Sequence, residues 1–403
     1  MNKLNWKIKF VALATGQAIS LLTSAILQTS IIWYMTQTTK SPIIITLATL
    51  SGYLPRAILG LFSGVFVDRY NRKQILIYSD LIIAVSAIVL AIVSLDGNIP
   101  IWIIYIILCI RSLGAAFHAP ALNAVIPTIV PKEHLTRCAG ISQSFESISL
   151  ILSPALATIL FNIWELSNII LLDVLGAALA ISIVAFIAIP TVKVSSASKF
   201  NVFADTLEGI KIIKAYSGMT ELLIISSLYA FIYFPIGSMY PLITMTYFNG
   251  TITDSGMVEI AFSVGTLIGS FILGILGNKL PKIITIAISI VLYGLGTMTI
   301  GLLPPTGLYF FAGISIVMGL TIPFFYGLRT SIFQSTIPNE FLGRVLSLAY
   351  SISLFAAPLG LLFGGNFSAY LGVEKCFFVC GILAIILGLS IILLPTVKNV
   401  GND

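Results

Sequence analysis

Long runs of apolar residues, interrupted at short intervals by polar turns, dominate this chain. A helix needs about 20 mostly apolar residues to cross a bilayer, and most of the runs reach that length. The pattern predicts about twelve membrane-spanning helices. A first set of six lies near residues 10–36, 43–67, 74–95, 100–128, 139–163 and 167–190, and a second set near 221–247, 256–277, 282–303, 306–333, 342–370 and 373–395.

The turns between the runs contain residues that end helices. They include Lys40-Ser41-Pro42, Asp96-Gly97-Asn98, Asn249-Gly250 and Pro304-Pro305-Thr306-Gly307. Basic residues are unevenly shared among the loops: if the N-terminus is cytoplasmic, the outside loops hold only Lys40 and Lys375. Because basic loop residues favour the cytoplasmic side, both termini are expected inside the cell. The apolar stretch from Phe10 is too long for a signal peptide, so the first helix is expected to remain.

Composition supports a membrane protein. Of the 403 residues, 58% are hydrophobic and 9% charged, whereas a soluble domain carries roughly a quarter charged residues. The net charge of +6 resides mainly in the loops, so nucleic-acid binding is not indicated. Cys376 and Cys380 stand one helical turn apart without a histidine nearby, and we interpret them as small apolar helix residues rather than metal ligands. No metal or other cofactor is expected.

One long polar segment, residues 191–220, separates the two sets of helices. Phe203, Leu207 and Ile210 recur in it at helical spacing, which predicts a short amphipathic helix on the cytoplasmic membrane surface. A plain tether is the alternative interpretation. The predicted organisation is therefore an N-terminal bundle over residues 1–190, a linker over 191–220 and a C-terminal bundle over 221–403. A monomer is expected.

The two halves resemble each other. The segment from Pro131 to Arg137 recurs as Pro338 to Arg344, and Gly64, Asp68, Arg69 and Arg72 are echoed by Gly274, Asn278, Lys279 and Lys282. Both echoes fall in equivalent loops, after the second and fourth helices of each half. Two halves repeated in parallel, with a pathway between them, is the arrangement of the major facilitator class of transporters.

Three motifs carry a resemblance to the major facilitator superfamily. The loop after the second helix, from Gly64 to Lys73, is similar to the signature Gly-x-x-x-Asp-Arg-x-x-Arg-Lys. Ile110-Arg111-Ser-Leu-Gly114 resembles the fourth-helix signature with a buried arginine, although the usual glutamine is missing. Ser153-Pro154-Ala155 resembles a degraded antiporter signature. The resemblance implies an all-α membrane protein with twelve helices in two pseudo-symmetric bundles.

Nearly the whole chain also resembles the Mef-type macrolide-efflux transporters of Gram-positive bacteria. The matching stretches are Gly16–Ala18, Thr23–Gln28, Phe117–Val125, Cys138–Gly140, Asp173–Ala177 and Tyr247–Thr251. This resemblance implies proton-coupled export of a macrolide-like or other lipophilic drug. Export of an endogenous compound such as a siderophore and uptake of a nutrient remain alternatives. An enzyme or a nucleotide-driven pump is not indicated, since no catalytic constellation or phosphate-binding loop is present.

The charged loop after the second helix is a candidate gate. It holds Asp68, Arg69, Arg72 and Lys73. The basic residues also satisfy the positive-inside rule, but an acid adds nothing to that bias. The resemblance implies that Asp68 faces the start of the eleventh predicted span (342–370), near Gly343, where a partial positive helix charge would stabilise it. The alternative interpretation is that these four charged residues lie in water and only set the orientation of the helices in the membrane.

Buried charges are the candidates for proton coupling. A charge deep in a span costs about 3 kcal/mol, so Arg111 must face the bundle interior or water. Proton-coupled export needs a carboxyl whose pKa is raised by desolvation, and the candidates are Glu146, Asp173 and Asp80. Because helices 4 and 5 are neighbours in the implied fold, Glu146 is the proposed partner of Arg111. The alternative for Arg111 is a structural role in which helix carbonyl oxygens accept its hydrogen bonds. The alternative for the acids is that they are structural hydrogen-bond acceptors.

Two further arginines lie within spans. For Arg56, in the middle of helix 2, a functional and a structural role are equally supported. Arg329 lies near the inner end of the tenth predicted span (306–333), where its side chain is expected to extend to the interface. A drug site would be a large apolar pocket with a few polar groups. Its candidate walls, besides Arg56, are Tyr53, Phe145, Tyr233, Phe234, Phe324, Phe325 and Tyr326, whose faces could hold a cationic amine.

Overall fold

The computed structural model describes residues 3–95, 97–131, 134–189, 210–276, 280–337 and 339–393. Within these ranges, side chains are described except at residues 3–5 and at some positions of 61–69, 135–151 and 334–354. The predicted amphipathic helix of the linker lies mostly outside this part of the chain, although residues 210–215 are helical.

The described chain is almost entirely helical. The helices of the first half are α1 (Lys3–Thr39), α2 (Pro42–Arg69), α3 (Arg72–Ser94), α4 (Ile101–Ile129), α5 (Leu135–Ile163) and α6 (Leu166–Phe186). Those of the second half are α7 (Met219–Ser238), α8 (Tyr240–Thr246), α9 (Ile252–Leu276), α10 (Lys282–Leu302), α11 (Leu308–Thr336), α12 (Asn339–Leu371) and α13 (Val373–Leu393).

The predicted all-α membrane fold is confirmed. Over their described residues, ten helices are long and apolar enough to cross a bilayer. The described parts of α5 and α12 add the shorter apolar stretches Leu152–Ile163 and Phe355–Leu371. Eleven of the predicted spans match one helix each, and the seventh is divided into α7 and α8.

Two prolines divide the seventh span. Pro235 lies in the last turn of α7, and Pro241 stands at the start of α8. The backbone N–H of Met239, between the helices, donates to the carbonyl oxygens of Pro235 and Ile236. Pro241 has no N–H to continue the helical ladder, but its fixed φ suits the first turn of a new helix. The span therefore ends and restarts at Met239.

The predicted turns have the expected backbone. Lys40 and Asn249 adopt positive φ angles of 49° and 54°, and Gly97 has a φ of 77°. Asparagine and glycine accept this left-handed conformation more readily than other residues. These positions separate α1 from α2, α3 from α4, and α8 from α9, so helix after helix reverses direction.

The chain forms two compact units. One comprises Met1–Met35 with Ala48–Phe200, and the other Thr36–Leu47 with Asn201–Asp403. In the first unit, α3 packs against α4 and α6. In the second, α10, the third membrane-spanning helix of its half, packs against α11 and α13. The same internal packing thus recurs, as the sequence repeat leads one to expect.

Two glycines allow α9 to lie close against α11. A Cβ atom at Gly265 would overlap the carbonyl oxygen of Ile316, and one at Gly269 would overlap that of Leu320. Small residues four apart on one helix face permit such a close approach in membranes. The contact is therefore between backbones.

Gly269→Ala is expected to destabilise the protein by about 1–3 kcal/mol, because the added methyl group must push α9 away from α11. The measurement is the thermal unfolding midpoint of the detergent-purified protein. Gly274→Ala is the matched control, since a Cβ atom at Gly274 on the same helix meets nothing within 4 Å. Equal midpoints for the two variants would contradict the packing argument.

Candidate functional site

A buried ion pair joins α4 to α6 in the first unit. Nη1 of Arg111 donates to Oδ2 of Asp173 at 2.5 Å, and the hydroxyl of Ser24 on α1 donates to Oδ1 at 2.6 Å. Arg111 is 7% exposed and Asp173 is 0% exposed. Hydrogen bonds between ionised groups are shorter and stronger than neutral ones, so this ion pair ties α4 firmly to α6.

Local packing positions the three residues. Asp173 lies two helical turns into α6, and the close approach of α1 at Gly176, one turn further on, brings Ser24 within reach. A Cβ atom at Gly176 would overlap the hydroxyl of Thr23. Arg111 lies ten residues into α4, which is about 15 Å from the start of that helix. The pair is therefore within the span, where an unpaired charge would be costly.

The structure gives Arg111 a partner that the sequence analysis did not assign to it. Sequence reasoning proposed Glu146, on the neighbouring fifth helix, whereas the structure places Asp173 of α6 on the guanidinium. The side chain of Glu146 lies outside the described residues. Asp173 was itself a candidate for proton coupling, so the structure brings two of the four candidates into direct contact.

A second polar cluster surrounds Asp80 of α3. Nε2 of His118 on α4 lies 3.1 Å from Oδ1 of Asp80, and the amide of Gln17 on α1 donates to Oδ2 at 3.3 Å. Nε2 of His118 also lies 2.7 Å from Oε1 of Gln17. Asp80 is 2% exposed. The predicted acid thus sits in a closed triangle with a titratable ring and an amide.

The two clusters lie on the same faces of α1 and α4. Gln17 and Ser24 are seven residues apart, and so are Arg111 and His118. Seven residues are nearly two full helical turns, or about 10 Å along the axis. The first unit therefore contains two layers of buried, hydrogen-bonded charge, one above the other. His118, Gln17 and Ser24 were not predicted, although their spacing from one another and from Arg111 was a usable signal.

Two of the predicted gating residues donate to backbone carbonyl oxygens within the first unit, and one of them, Lys73, does so at a helix end. Nζ of Lys73 donates to the carbonyl oxygens of Ala185 and Ile187, at the end of α6, at 2.7 and 2.9 Å. Nη1 of Arg72 donates to the carbonyl oxygen of Ala124 on α4 at 3.0 Å. Cations stabilise the partial negative charge at helix C-termini. The side chains of Asp68 and Arg69 lie outside the described residues, so the gate itself stays a prediction.

The predicted cavity residues of the first unit do not bond to the side chains of Arg111 or Asp173 in the described contacts. Arg56 and Tyr53 are exposed on α2, and Phe145 on α5 is half-buried. The backbone N–H of Arg56 donates to the hydroxyl of Ser112 at 3.0 Å, next to Arg111 in sequence. This bond ties α2 to α4 near the buried charge.

The second unit has an aromatic cluster, formed by Tyr229 and Tyr233 of α7, Tyr293 of α10, and Phe325 and Tyr326 of α11. Ring centroids are 4.3 Å apart for Tyr229 and Phe325, and 5.7 Å apart for Tyr233 and Tyr293. Three of the predicted cavity residues are therefore members of one cluster. Phe234 contacts it through Tyr233 at 5.6 Å, and Phe324 is buried. Tyr229 and Tyr293 were not predicted.

Arg329 of α11 packs against this cluster. Its guanidinium carbon lies 5.2 Å from the ring centroid of Tyr326 and 5.8 Å from that of Phe325. Nε and Nη1 are both buried. The sequence analysis did not predict these contacts, in which the adjacent aromatic faces attract the cation.

A groove of about 520 Å³ on the first unit is apolar almost throughout. It is lined by α3 and α4 residues that include Leu81, Val85, Trp102 and Ile106, all exposed. In a membrane protein such a surface faces acyl chains. The buried charges, and not this groove, are the chemically distinctive feature of the first unit. Among the described residues, no group of three His, Cys, Asp or Glu side chains could hold a metal ion.

Comparisons with known proteins agree with this architecture. The family model described as "Transmembrane secretion effector" matches residues 6–402. Macrolide efflux protein A of Streptococcus pyogenes is 46% identical over 94% of each chain. Macrolide efflux protein A of Enterococcus faecalis is 46% identical over 78% of this chain and 97% of its own. The crystal structure of a D-xylose-proton symporter superposes with a TM-score of 0.74 over 98% of both chains at 12% identity, which shows a shared fold. The chain therefore belongs to the transmembrane secretion effector family of the major facilitator superfamily, a family of membrane transporters, together with the macrolide efflux proteins.

Proposed function

We propose that this protein is a secondary active efflux transporter of the cell membrane that exports macrolide-like or other lipophilic drugs in exchange for protons. The names of its 46%-identical relatives support the substrate class. The observation that carries the proton coupling is the fully buried carboxylate of Asp173, held by Arg111 and Ser24. A buried acid with a buried cationic partner can take up and release a proton without leaving the protein interior.

Protonation of Asp173 is the step that couples the proton to transport. The carboxylate accepts hydrogen bonds from Arg111 and Ser24, whereas the neutral acid no longer balances the guanidinium charge. The proton therefore changes the relative free energies of the inward- and outward-facing states, as any ligand with different affinities for two states must. A proton taken up from outside resets the transporter, and its release inside accompanies drug loading.

Asp80 and His118 supply a second position for the proton, about 10 Å further along α1 and α4. Gln17 contacts both side chains and keeps them in register. In this proposal the proton moves between two layers on one face of the first bundle. Glu146 remains a further candidate for the same path.

In this proposal the transporter opens alternately to the two sides of the membrane. It comprises two six-helix bundles, residues 1–190 and 221–403, joined by residues 191–220. Both termini are cytoplasmic and the protein acts as a monomer. Asp68 and Arg69 form the cytoplasmic gate, and Arg72 and Lys73 anchor the adjacent turn to α4 and α6.

Accumulation of a radiolabelled macrolide in cells that carry the gene tests the function. Expression is expected to lower steady-state accumulation severalfold relative to the empty vector, and an uncoupler is expected to restore it. Unchanged accumulation across a panel of macrolides, tetracyclines and cationic dyes would overturn drug export. Uptake of a nutrient, or export of a siderophore with no effect on any drug, would select the alternative functions.

A further inference from the structure

The aromatic cluster of the second unit contains three buried N–H and O–H donors without acceptors. Nε and Nη1 of Arg329 have no hydrogen-bond partner in the described structure, and neither has the hydroxyl of Tyr229. Tyr229 is 1% exposed. The two residues lie against the same rings, since Phe325 contacts Tyr229 at 4.3 Å and the Arg329 guanidinium at 5.8 Å. The donors thus share one small region between α7 and α11.

Unpartnered donors are costly inside a membrane protein. A buried polar group without a hydrogen bond loses its hydration and gains nothing in return, and a guanidinium loses more than a neutral group. The rings of Phe325 and Tyr326 offset part of this cost, because their negative faces attract the cation. They cannot accept the in-plane N–H groups in the manner of an oxygen atom. No acceptor among the described residues lies within hydrogen-bond distance of Nε and Nη1 of Arg329 or of the Tyr229 hydroxyl, so an oxygen atom supplied from outside the cluster would be stabilising there.

The same geometry excludes one kind of ligand. The aromatic faces at Phe325 and Tyr326 were expected to hold the cationic amine of a drug, but the guanidinium of Arg329 already occupies them. A second cation would be repelled at that distance, since like charges destabilise each other most where water is excluded. Arg329 as a whole and Tyr326 are only partly buried, so the cluster reaches the surface of the second unit at these two residues.

We propose that Arg329 and Tyr229 form a binding subsite for oxygen acceptors of the exported drug, of the ester or ketone carbonyl class, and that the drug's amine binds elsewhere. The inference rests on the proposed efflux function. A carbonyl oxygen can accept from the guanidinium while the lipophilic body of the drug packs against the remaining rings. The subsite therefore distinguishes acceptor-rich lipophilic molecules from simple lipophilic amines.

Equilibrium dialysis of the detergent-purified full chain with a radiolabelled macrolide tests the subsite. Arg329→Gln is expected to raise Kd about tenfold or more, because it removes the charged donors of the guanidinium. Tyr229→Phe is expected to raise Kd about threefold to tenfold, because it removes one hydroxyl and little volume. Tyr240→Phe is the matched control: it removes an equally buried hydroxyl whose partner is the sulfur of Met318, and its Kd is expected to stay within about twofold. A lipophilic cationic dye without carbonyl groups is expected to bind all four proteins alike.

Two results would overturn the subsite. One is an unchanged or lower macrolide Kd in Tyr229→Phe, a variant that deletes one oxygen atom and is checked for monodisperse elution. The other is an equal loss of macrolide and dye binding, which would indicate general damage to the cluster. Failure of proton coupling is a separate outcome, because dialysis at constant pH measures binding without transport. No macrolide binding by the unaltered protein would instead refute the proposed function.

Discussion

Asp173→Asn is expected to abolish uphill drug efflux, so that cells expressing the variant accumulate as much labelled macrolide as cells with the empty vector. Asparagine has nearly the shape of aspartate, keeps one oxygen to accept from Arg111 and can donate its amide N–H to the Ser24 hydroxyl, but it cannot gain or lose a proton. Because coupling requires a group that alternates between two protonation states, the variant lacks the step that links drug movement to the proton gradient.

Counterflow separates loss of coupling from loss of the protein. In vesicles preloaded with unlabelled drug, exchange of drug for drug moves no net proton and is expected to survive in Asp173→Asn. Asp254→Asn is the matched control: this acid accepts from the backbone N–H and hydroxyl of Thr251 at the start of α9, and uphill efflux is expected to persist. Full uphill efflux by Asp173→Asn would remove Asp173 from the coupling mechanism.

Arg111→Gln is expected to have the largest effect on stability. It leaves the 0%-exposed carboxylate of Asp173 without its counter-charge, and breaking a buried ion pair from one side typically costs about 3–5 kcal/mol. The double variant Arg111→Gln/Asp173→Asn removes both charges and is expected to recover most of that loss. It remains inactive in uphill efflux, because no titratable group is restored.

Heating the purified protein and measuring its monodisperse fraction gives the comparison. Arg72→Gln is the control, since Arg72 donates to the carbonyl oxygen of Ala124 from a partly buried position, and we expect a loss of about 1 kcal/mol. The informative quantity is the departure from additivity between the single and double variants. A double variant as unstable as the sum of its parts would show that the ion pair contributes nothing beyond two independent side chains.

The helices could be predicted because the bilayer imposes a length on them. Runs of about 20 apolar residues and turns such as Asn249-Gly250 are local signals, and they suffice to place almost every span. The division at Met239 was missed because the run from 221 to 247 is mostly apolar and has no charged residue after Glu221. Pro235 and Pro241, six residues apart, were the available signal.

Burial cost identified the charged site, but not its pairing. Arg111, Asp80 and Asp173 stand out in sequence because hydrocarbon rejects isolated charges. Which acid meets Arg111 depends on how α4 and α6 are rotated in the bundle, and no local pattern encodes that rotation. The contacts of Arg329 were missed for the same reason. Its position near the inner end of its span suggested only that the side chain extends to the interface, whereas it packs against Phe325 and Tyr326.

Drug transport into inverted membrane vesicles tests the coupling most directly. An acidic lumen corresponds to an acidic cell exterior, so an outward-flowing proton is expected to drive labelled macrolide into the lumen against its gradient. Collapse of the pH difference with nigericin in potassium buffer is expected to stop this accumulation, and Asp173→Asn vesicles are expected to show none. Accumulation that ignores the pH difference, or that Asp173→Asn retains in full, would contradict proton exchange through Asp173.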